Sequence, residues 1–121
     1  MPRRDKKVYL EDIVKHCYEL QQLKKDAQTP DNFLSNNYFF RTAERCFQII
    51  GEAVHHLNNQ NPKIPITEKT KIIALRHIIT HDYDAIDHLR LWLYIEKYLP
   101  VLLLEAEQLL REEENLEKQH G

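Results

Sequence analysis

The chain has 121 residues, 42% of them hydrophobic, and 17 basic and 19 acidic side chains give a formal net charge of −2. The length fits a single domain, expected over residues 1–121, and the nearly balanced charge argues against a protein that coats nucleic acid by bulk electrostatics. The N-terminus lacks the apolar segment of a signal peptide and no stretch approaches the roughly 18 apolar residues of a membrane span, so we expect a cytoplasmic protein without membrane contact.

Two glycines, five prolines and a chain rich in Leu, Glu, Lys and Gln predict an all-α fold. Apolar residues at helical spacing predict a first helix over about residues 8–27 and a second over about 35–58. Between them, Thr29 and Pro30 have the residue types of a helix cap and a first helical position. Cys17 and Cys46 lie within the apolar stripes, which indicates buried thiols.

A polar stripe runs along the second helix, opposite its apolar face. A solvated outer surface is the simplest interpretation of such a stripe, and the wall of a cleft or of a dimer interface is the functional one. Its members recur at intervals of three and four residues: Arg41, Arg45, Gln48, Glu52 and one of His55 and His56.

A third helix is predicted from Thr67, and it carries Arg76 among apolar residues of its core face. A buried arginine needs a partner, so Arg76 either meets a carboxylate such as Glu52 or opens onto a site. The aspartates that follow favour a helix break near residues 80–84. Helical spacing then resumes, and Pro100 suits the first turn of a last helix.

The two ends of the chain differ from its middle in composition. The first residues are basic, and the segment REEENLEKQHG is too charged to pack against a core. We therefore expect an ordered core over about residues 8–110, between a basic N-terminal tip and a charged C-terminal tail that frays.

Arg76 and His81 have the side chains that phosphodiester cleavage needs. An imidazole moves protons near neutral pH, and a guanidinium stays charged and grips phosphate oxygens. On an unbroken helix the two residues would point about 140° apart. They can converge if the helix ends near Thr80 and His81 turns back, or if they meet their symmetry mates across a two-fold interface.

Two segments, ERCFQIIGEAVHHL (residues 44–57) and ALRHIITHDYDAID (residues 74–87), resemble the HEPN superfamily and in particular its HepT-like toxins. The resemblance rests on an Arg-x4-His-x-Tyr motif late in an all-helical domain and on a Gly-Glu-Ala upstream in a long helix. It extends to a later Trp followed by Leu-Pro and covers about residues 8–110. One departure is Ile66 after Pro65, where family members often have an aromatic residue.

The resemblance implies an up-and-down bundle of four to five helices that forms a two-fold homodimer, with two motifs in one cleft. It also implies a metal-independent endoribonuclease that uses no cofactor. By position, Arg76 would stabilise the attacked phosphate of the RNA, and His81 would be general base or acid for the ribose 2′-hydroxyl, leaving a cyclic phosphate. His77, Glu52 and Arg45 would be supporting residues. Glu52 would either position Arg76 or complete a structural ion pair, and the structural role is favoured.

The resemblance further implies a partner, a minimal nucleotidyltransferase that acts as the antitoxin of a type VII-like toxin–antitoxin pair. That enzyme would inactivate the toxin by transferring adenylate to the motif tyrosine, here Tyr83.

Two other functions fit the same residues. His77, His81, Asp84 and His88 would lie along one face of a continuous helix and could bind zinc or iron, which would require that no break occurs in this segment. Alternatively, the chain is a catalytically silent helical module that binds its nucleotidyltransferase partner.

Overall fold

The computed structural model describes residues 6–81 and 86–120, and within these ranges the chain forms six α-helices and no strand. The all-α bundle predicted from the sequence is confirmed, and the short α2 raises the number of helices to six. The helices are α1 (Lys6–Ala27), α2 (Pro30–Ser35), α3 (Asn37–Gln60), α4 (Lys69–His81), α5 (His88–Lys97) and α6 (Leu99–His120).

The four longer helices run alternately up and down in the spatial order α6, α1, α3, α4. α1 contacts α3 and α6, whereas α4 packs on α3 as its main helical neighbour in the described chain. The antiparallel sense of α1 and α6 is evident from two side-chain contacts, Lys6 with Glu113 and Tyr18 with Glu107. α3 is therefore the central helix, and α4 lies at the edge of the bundle.

Side-chain caps set several helix boundaries. Thr29 accepts a hydrogen bond from the amide of Asn32 at the start of α2, with Pro30 as the first helical residue, as the sequence predicts. Asp87 accepts from the amide of Leu89 and so begins α5. Thr67 does not cap α4, because its hydroxyl and amide both donate to the Glu105 carboxylate of α6.

The hydrophobic core contains residues from all six helices. The two cysteines belong to it as free thiols, which confirms their predicted burial. Burial raises the pKa of Cys17 to about 12 and, together with a hydrogen bond to Glu19, raises that of Cys46 to about 12. Thiols with such a pKa are poor nucleophiles at neutral pH. Ile66, at the position where the family often has an aromatic residue, is also buried.

The C-terminal segment differs from the expected fraying tail, because α6 stays helical to His120. Its acidic face lies along the basic start of α1, where Lys6 pairs with Glu113 and Lys7 with Glu117. These ion pairs link the last turns of α6 to α1, although surface ion pairs of this kind contribute little to stability. In the described part of the chain, no helix combines the length and apolar character that crossing a membrane requires.

Candidate active site

The side chain of Arg76, on α4, packs against α3 at Gly51, the single glycine of that helix. A Cβ atom built on Gly51 would lie 2.2 Å from the Cβ of Arg76 and 2.8 Å from its Cγ. Any larger residue at position 51 would therefore collide with the base of the arginine side chain rather than with its mobile end. Gly51 lets α4 approach α3 closely enough for the guanidinium to reach across it.

The guanidinium of Arg76 reaches Glu52, the residue that follows this glycine. One terminal nitrogen, Nη2, donates to Glu52 Oε2 at 2.5 Å, and the Arg76 side chain is only 22% exposed. The Nε atom is buried and has no hydrogen-bond partner within residues 6–81 and 86–120. The carboxylate expected to pair with Arg76 is thus Glu52, and the pair fixes one end of the guanidinium.

The other carboxylate oxygen of Glu52 belongs to a second contact. His56, one turn further along α3, places its Nε2 at 3.0 Å from Glu52 Oε1. The imidazole of His56 is stacked on the ring of Tyr9 from α1, with ring centroids 4.9 Å apart and planes 14° apart. Tyr9, His56, Glu52 and Arg76 therefore form one continuous chain of contacts across three helices.

A cleft of about 320 Å³ opens beside this chain of contacts. It lies between α1 and α3, and Glu52 forms part of its wall. The other lining residues are Tyr9, Asp12, Gln48, Ile49 and Ala53. Part of the polar stripe predicted on α3 thus lines a cleft, as the functional interpretation of that stripe required.

The charge state of Glu52 follows from its neighbours. Burial by itself would raise the pKa of its carboxyl group, but the hydrogen bond with His56 and the positive charge of Arg76 outweigh burial and lower the pKa below its usual value. Glu52 is therefore an anion at neutral pH, and it neutralises part of the charge on Arg76.

His77 and His81 lie on an exposed face of α4. They are one turn apart, with ring centroids separated by 4.5 Å. Because α4 is helical through His81, the first of the two routes by which Arg76 and His81 could converge, a turn back of His81, does not occur. Arg76 and His81 instead point about 140° apart, so α4 alone does not bring them together.

The metal-binding alternative is wrong in the form that required one continuous helix. α4 ends at His81, and the extended backbone of Asp87 separates it from α5. His88 is instead stacked on Phe40 and lies 3.2 Å from a carboxylate oxygen of Glu44. Within residues 6–81 and 86–120, no group of three or more His, Cys, Asp and Glu side chains could hold a metal ion. Asp84 lies outside the described residues.

The remaining candidate residues are more scattered. Arg45 pairs with Glu19 of α1 at 2.8 Å and is largely exposed, so its contact in the chain is with α1 rather than with Arg76. Tyr83, the candidate modification site, also lies outside the described residues.

Sequence reasoning missed the contribution of His56 and Tyr9 and the reason for the glycine. The four-residue spacing of Glu52 and His56 permits a contact along one helix face, but the three-residue spacing of Glu52 and His55 permits one as well. The stacking of Tyr9 and the close approach at Gly51 depend on how the helices pack, which helical spacing alone does not reveal.

Comparison with known proteins gives a consistent result. The family described as Ribonuclease HepT-like matches residues 9–109. "Putative RNase MJ1380" from Methanocaldococcus jannaschii is 31% identical over 108 residues, which cover 88% of this chain and 98% of that protein. "Putative RNase TTE0752" from Caldanaerobacter subterraneus subsp. tengcongensis is 29% identical over 109 residues, covering 87% of this chain and 94% of that protein.

A second protein of M. jannaschii, "Putative RNase MJ0125", is 28% identical over 116 residues, which cover 93% of this chain and 97% of that protein. No solved structure gives a significant match. The family match includes both α3 and α4, and with them Gly51, Glu52, Arg76 and His81. The resemblance inferred from the sequence is confirmed: the chain belongs to the Ribonuclease HepT-like family.

Proposed function

We propose that the protein is a metal-independent endoribonuclease in which Arg76 binds the attacked phosphate and His81 transfers protons. The observation that carries the proposal is the placement of Arg76. This arginine is partly buried, lies against α3 where Gly51 leaves room for it, and is held there by an anionic Glu52. A cation fixed in this way is preorganised to stabilise negative charge as it develops on a phosphate. Family membership supports RNA as the substrate.

The chemistry requires only groups that the chain supplies. His81 removes the proton of a ribose 2′-hydroxyl, whose oxygen attacks the adjacent phosphorus atom while the bond to the 5′-oxygen breaks. The leaving 5′-oxygen takes a proton from the His81 imidazolium that the first proton transfer forms. The other product ends in a 2′,3′-cyclic phosphate. Arg76 binds the non-bridging oxygens, on which negative charge accumulates. His77, which contacts His81 on the exposed face of α4, would help to orient that imidazole.

A two-fold homodimer would bring Arg76 and His81 together although they diverge on α4. Arg76 and His81 diverge on their own helix, but a second copy packed against α4 would bring a partner's His81 near Arg76. The edge position of α4 and the exposure of His77 and His81 support this arrangement. The active site would then be a cleft to which both protomers contribute a motif.

Incubation of the purified protein with a labelled RNA pool in excess chelator tests the proposal. We expect cleavage that persists in chelator, is lost in His81→Ala and leaves cyclic phosphate ends. His55→Ala is a matched control, because the contacts of His55 are with Asn59 and His56 of its own helix rather than with the proposed catalytic residues. Absence of cleavage by unmodified wild type would contradict the proposal and favour a silent binding module, and cleavage abolished by chelator would favour a metal-dependent enzyme.

We further propose that the protein is the toxin of a toxin–antitoxin pair and that its partner is a nucleotidyltransferase that modifies Tyr83. The phenol oxygen of Tyr83 would attack the α-phosphorus of ATP, displacing pyrophosphate and losing its proton. The support is the position of Tyr83 in the Arg-x4-His-x-Tyr motif, two residues after His81. The added adenylate carries negative charge, which would oppose the binding of an RNA phosphate.

Intact-mass analysis with the partner and ATP checks this modification. Wild type should gain the mass of one adenylate, or of a short run of them, and lose RNA cleavage, whereas Tyr83→Phe should gain no mass and stay active. Tyr38→Phe, which alters an exposed tyrosine on α3, serves as the control and should still be modified. An unchanged wild-type mass with a partner shown to be active would contradict the proposal.

A further inference from the structure

Glu52 binds two groups at once, one through each carboxylate oxygen. Oε2 accepts from Arg76 Nη2, and Oε1 lies 3.0 Å from His56 Nε2. A carboxylate beside an arginine otherwise tends to accept two parallel hydrogen bonds from the guanidinium. His56 occupies the oxygen that such a two-point contact would need.

The orientation of His56 is itself fixed from another helix. Its ring lies nearly parallel to that of Tyr9, a residue of α1 whose side chain is almost fully buried in the core. Parallel aromatic rings at this separation attract each other, and the buried phenol ring cannot move aside without disturbing the core. The imidazole therefore presents Nε2 to Glu52 from a direction that the α1–α3 contact determines.

Only part of the Arg76 guanidinium is left to bind a phosphate. Nη2 already donates to Glu52, and Nε is buried with no partner among the described residues, which leaves Nη1 and the outer side of Nη2. If Glu52 rotated to accept from both terminal nitrogens, these donors would be taken up by the carboxylate. The activity of Arg76 thus depends on how the carboxylate of Glu52 is held.

We propose that His56 is a positioning residue for Arg76, acting through Glu52 and supported by the ring of Tyr9. Its role is to keep Glu52 in a one-point contact, so that the guanidinium is anchored while its remaining donors face the RNA phosphate. This inference rests on the proposed ribonuclease function. It adds to that function a residue on α3 that lies outside the Arg-x4-His motif.

Three variants separate this role from a general effect on the fold. His56→Leu keeps an apolar contact with Tyr9 but removes the donor, and it should lower kcat about 10- to 100-fold with little change in KM, because misplacement of a reacting group costs about this much. His56→Gln supplies an amide donor and should restore most of the lost rate. His55→Leu changes the neighbouring histidine, which is hydrogen-bonded to Asn59 and packs edge-on against His56. It keeps the contact of His56 with Glu52 and an apolar side chain beside His56, and should behave as wild type.

A measurement that does not depend on cleavage follows the guanidinium itself. The Nε–H resonance of Arg76, assigned from its absence in Arg76→Met, should shift or broaden in His56→Leu and stay unchanged in His55→Leu. If wild type cleaves no RNA, the proposed function fails, but this resonance still decides whether His56 positions Arg76.

Two results would overturn the inference. If His56→Leu leaves both the cleavage rate and the Arg76 resonance unchanged, Glu52 needs no help from His56. If His56→Gln is as inactive as His81→Ala while the Arg76 resonance keeps its wild-type position, His56 itself transfers a proton and is not a positioning residue.

Discussion

Arg76→Ala and His81→Ala should each lower RNA cleavage by about 10²- to 10⁴-fold, and an equimolar mixture of the two variants should recover about a quarter of the wild-type rate. The first effect follows from removing a charged phosphate ligand or a proton-transfer group. The second follows from the geometry of α4, on which the two side chains point about 140° apart. A complete site would then combine Arg76 of one protomer with His81 of its partner.

The recovered fraction comes from counting sites in a two-fold dimer. When the protomers assort at random, about half of the dimers contain one copy of each variant. Such a dimer has one site with both substitutions and one with neither, so about half of its sites work. Single-variant dimers have no intact site, which leaves about a quarter of the total.

Co-expression of the two variants with different tags, followed by isolation of the mixed dimer, allows the cleavage rate of that dimer to be measured directly. The expected rate is about half that of the wild-type dimer, because one of its two sites is intact. Circular dichroism and size-exclusion chromatography should show that each variant remains folded and keeps its oligomeric state, and His55→Ala mixed with either variant provides the reference for subunit exchange. If the isolated mixed dimer is inactive although the wild-type dimer cleaves RNA, Arg76 and His81 act within one chain, and α4 must rearrange to bring them together.

Local patterns in the sequence predicted the features that depend on neighbouring residues along one helix. The apolar stripes, the cap at Thr29 and the anomalous position of Arg76 all follow from helical spacing and residue type. A charged residue in an apolar stripe indicated that Arg76 needs a partner, and Glu52 was the candidate. These predictions succeeded because each relies on interactions that spacing and burial fix.

Features that depend on contacts between distant helices were harder to predict. The adjacent His55 and His56 could not be told apart, because the choice depends on which of them faces Tyr9 on α1. The last turns of α6 looked too charged to be ordered, yet their glutamates meet lysines more than a hundred residues earlier in the chain. The end of α4 at His81 agrees with the break predicted near residues 80–84, but the sequence left open whether His81 is the last helical residue or turns back, since the aspartates that suggested the break only begin after it.

Gly51→Ala should destabilise the protein, although the same change in an ordinary helix is stabilising by about 1 kcal/mol. The added methyl group would lie 2.2 Å from the Cβ of Arg76 and 3.3 Å from the carbonyl oxygen of Ile72. Non-bonded carbon atoms prefer separations of about 3.5–4.0 Å, so α4 must move away from α3. Overpacking typically costs about 1–3 kcal/mol, and an overlap as close as 2.2 Å lies toward the upper end of that range, which exceeds the gain in helix propensity.

The same displacement should reduce RNA cleavage, because it moves the guanidinium of Arg76 away from Glu52. Urea unfolding measures the stability, and a double-mutant cycle with Arg76→Gly identifies the cause, since that substitution removes both of the atoms of Arg76 that the new methyl group would strike. The double variant should be more stable than the sum of the two single effects predicts. Additive effects, or a Gly51→Ala variant more stable than wild type, would mean that the α3–α4 contact adapts without strain and that Gly51 is not what sets the position of Arg76.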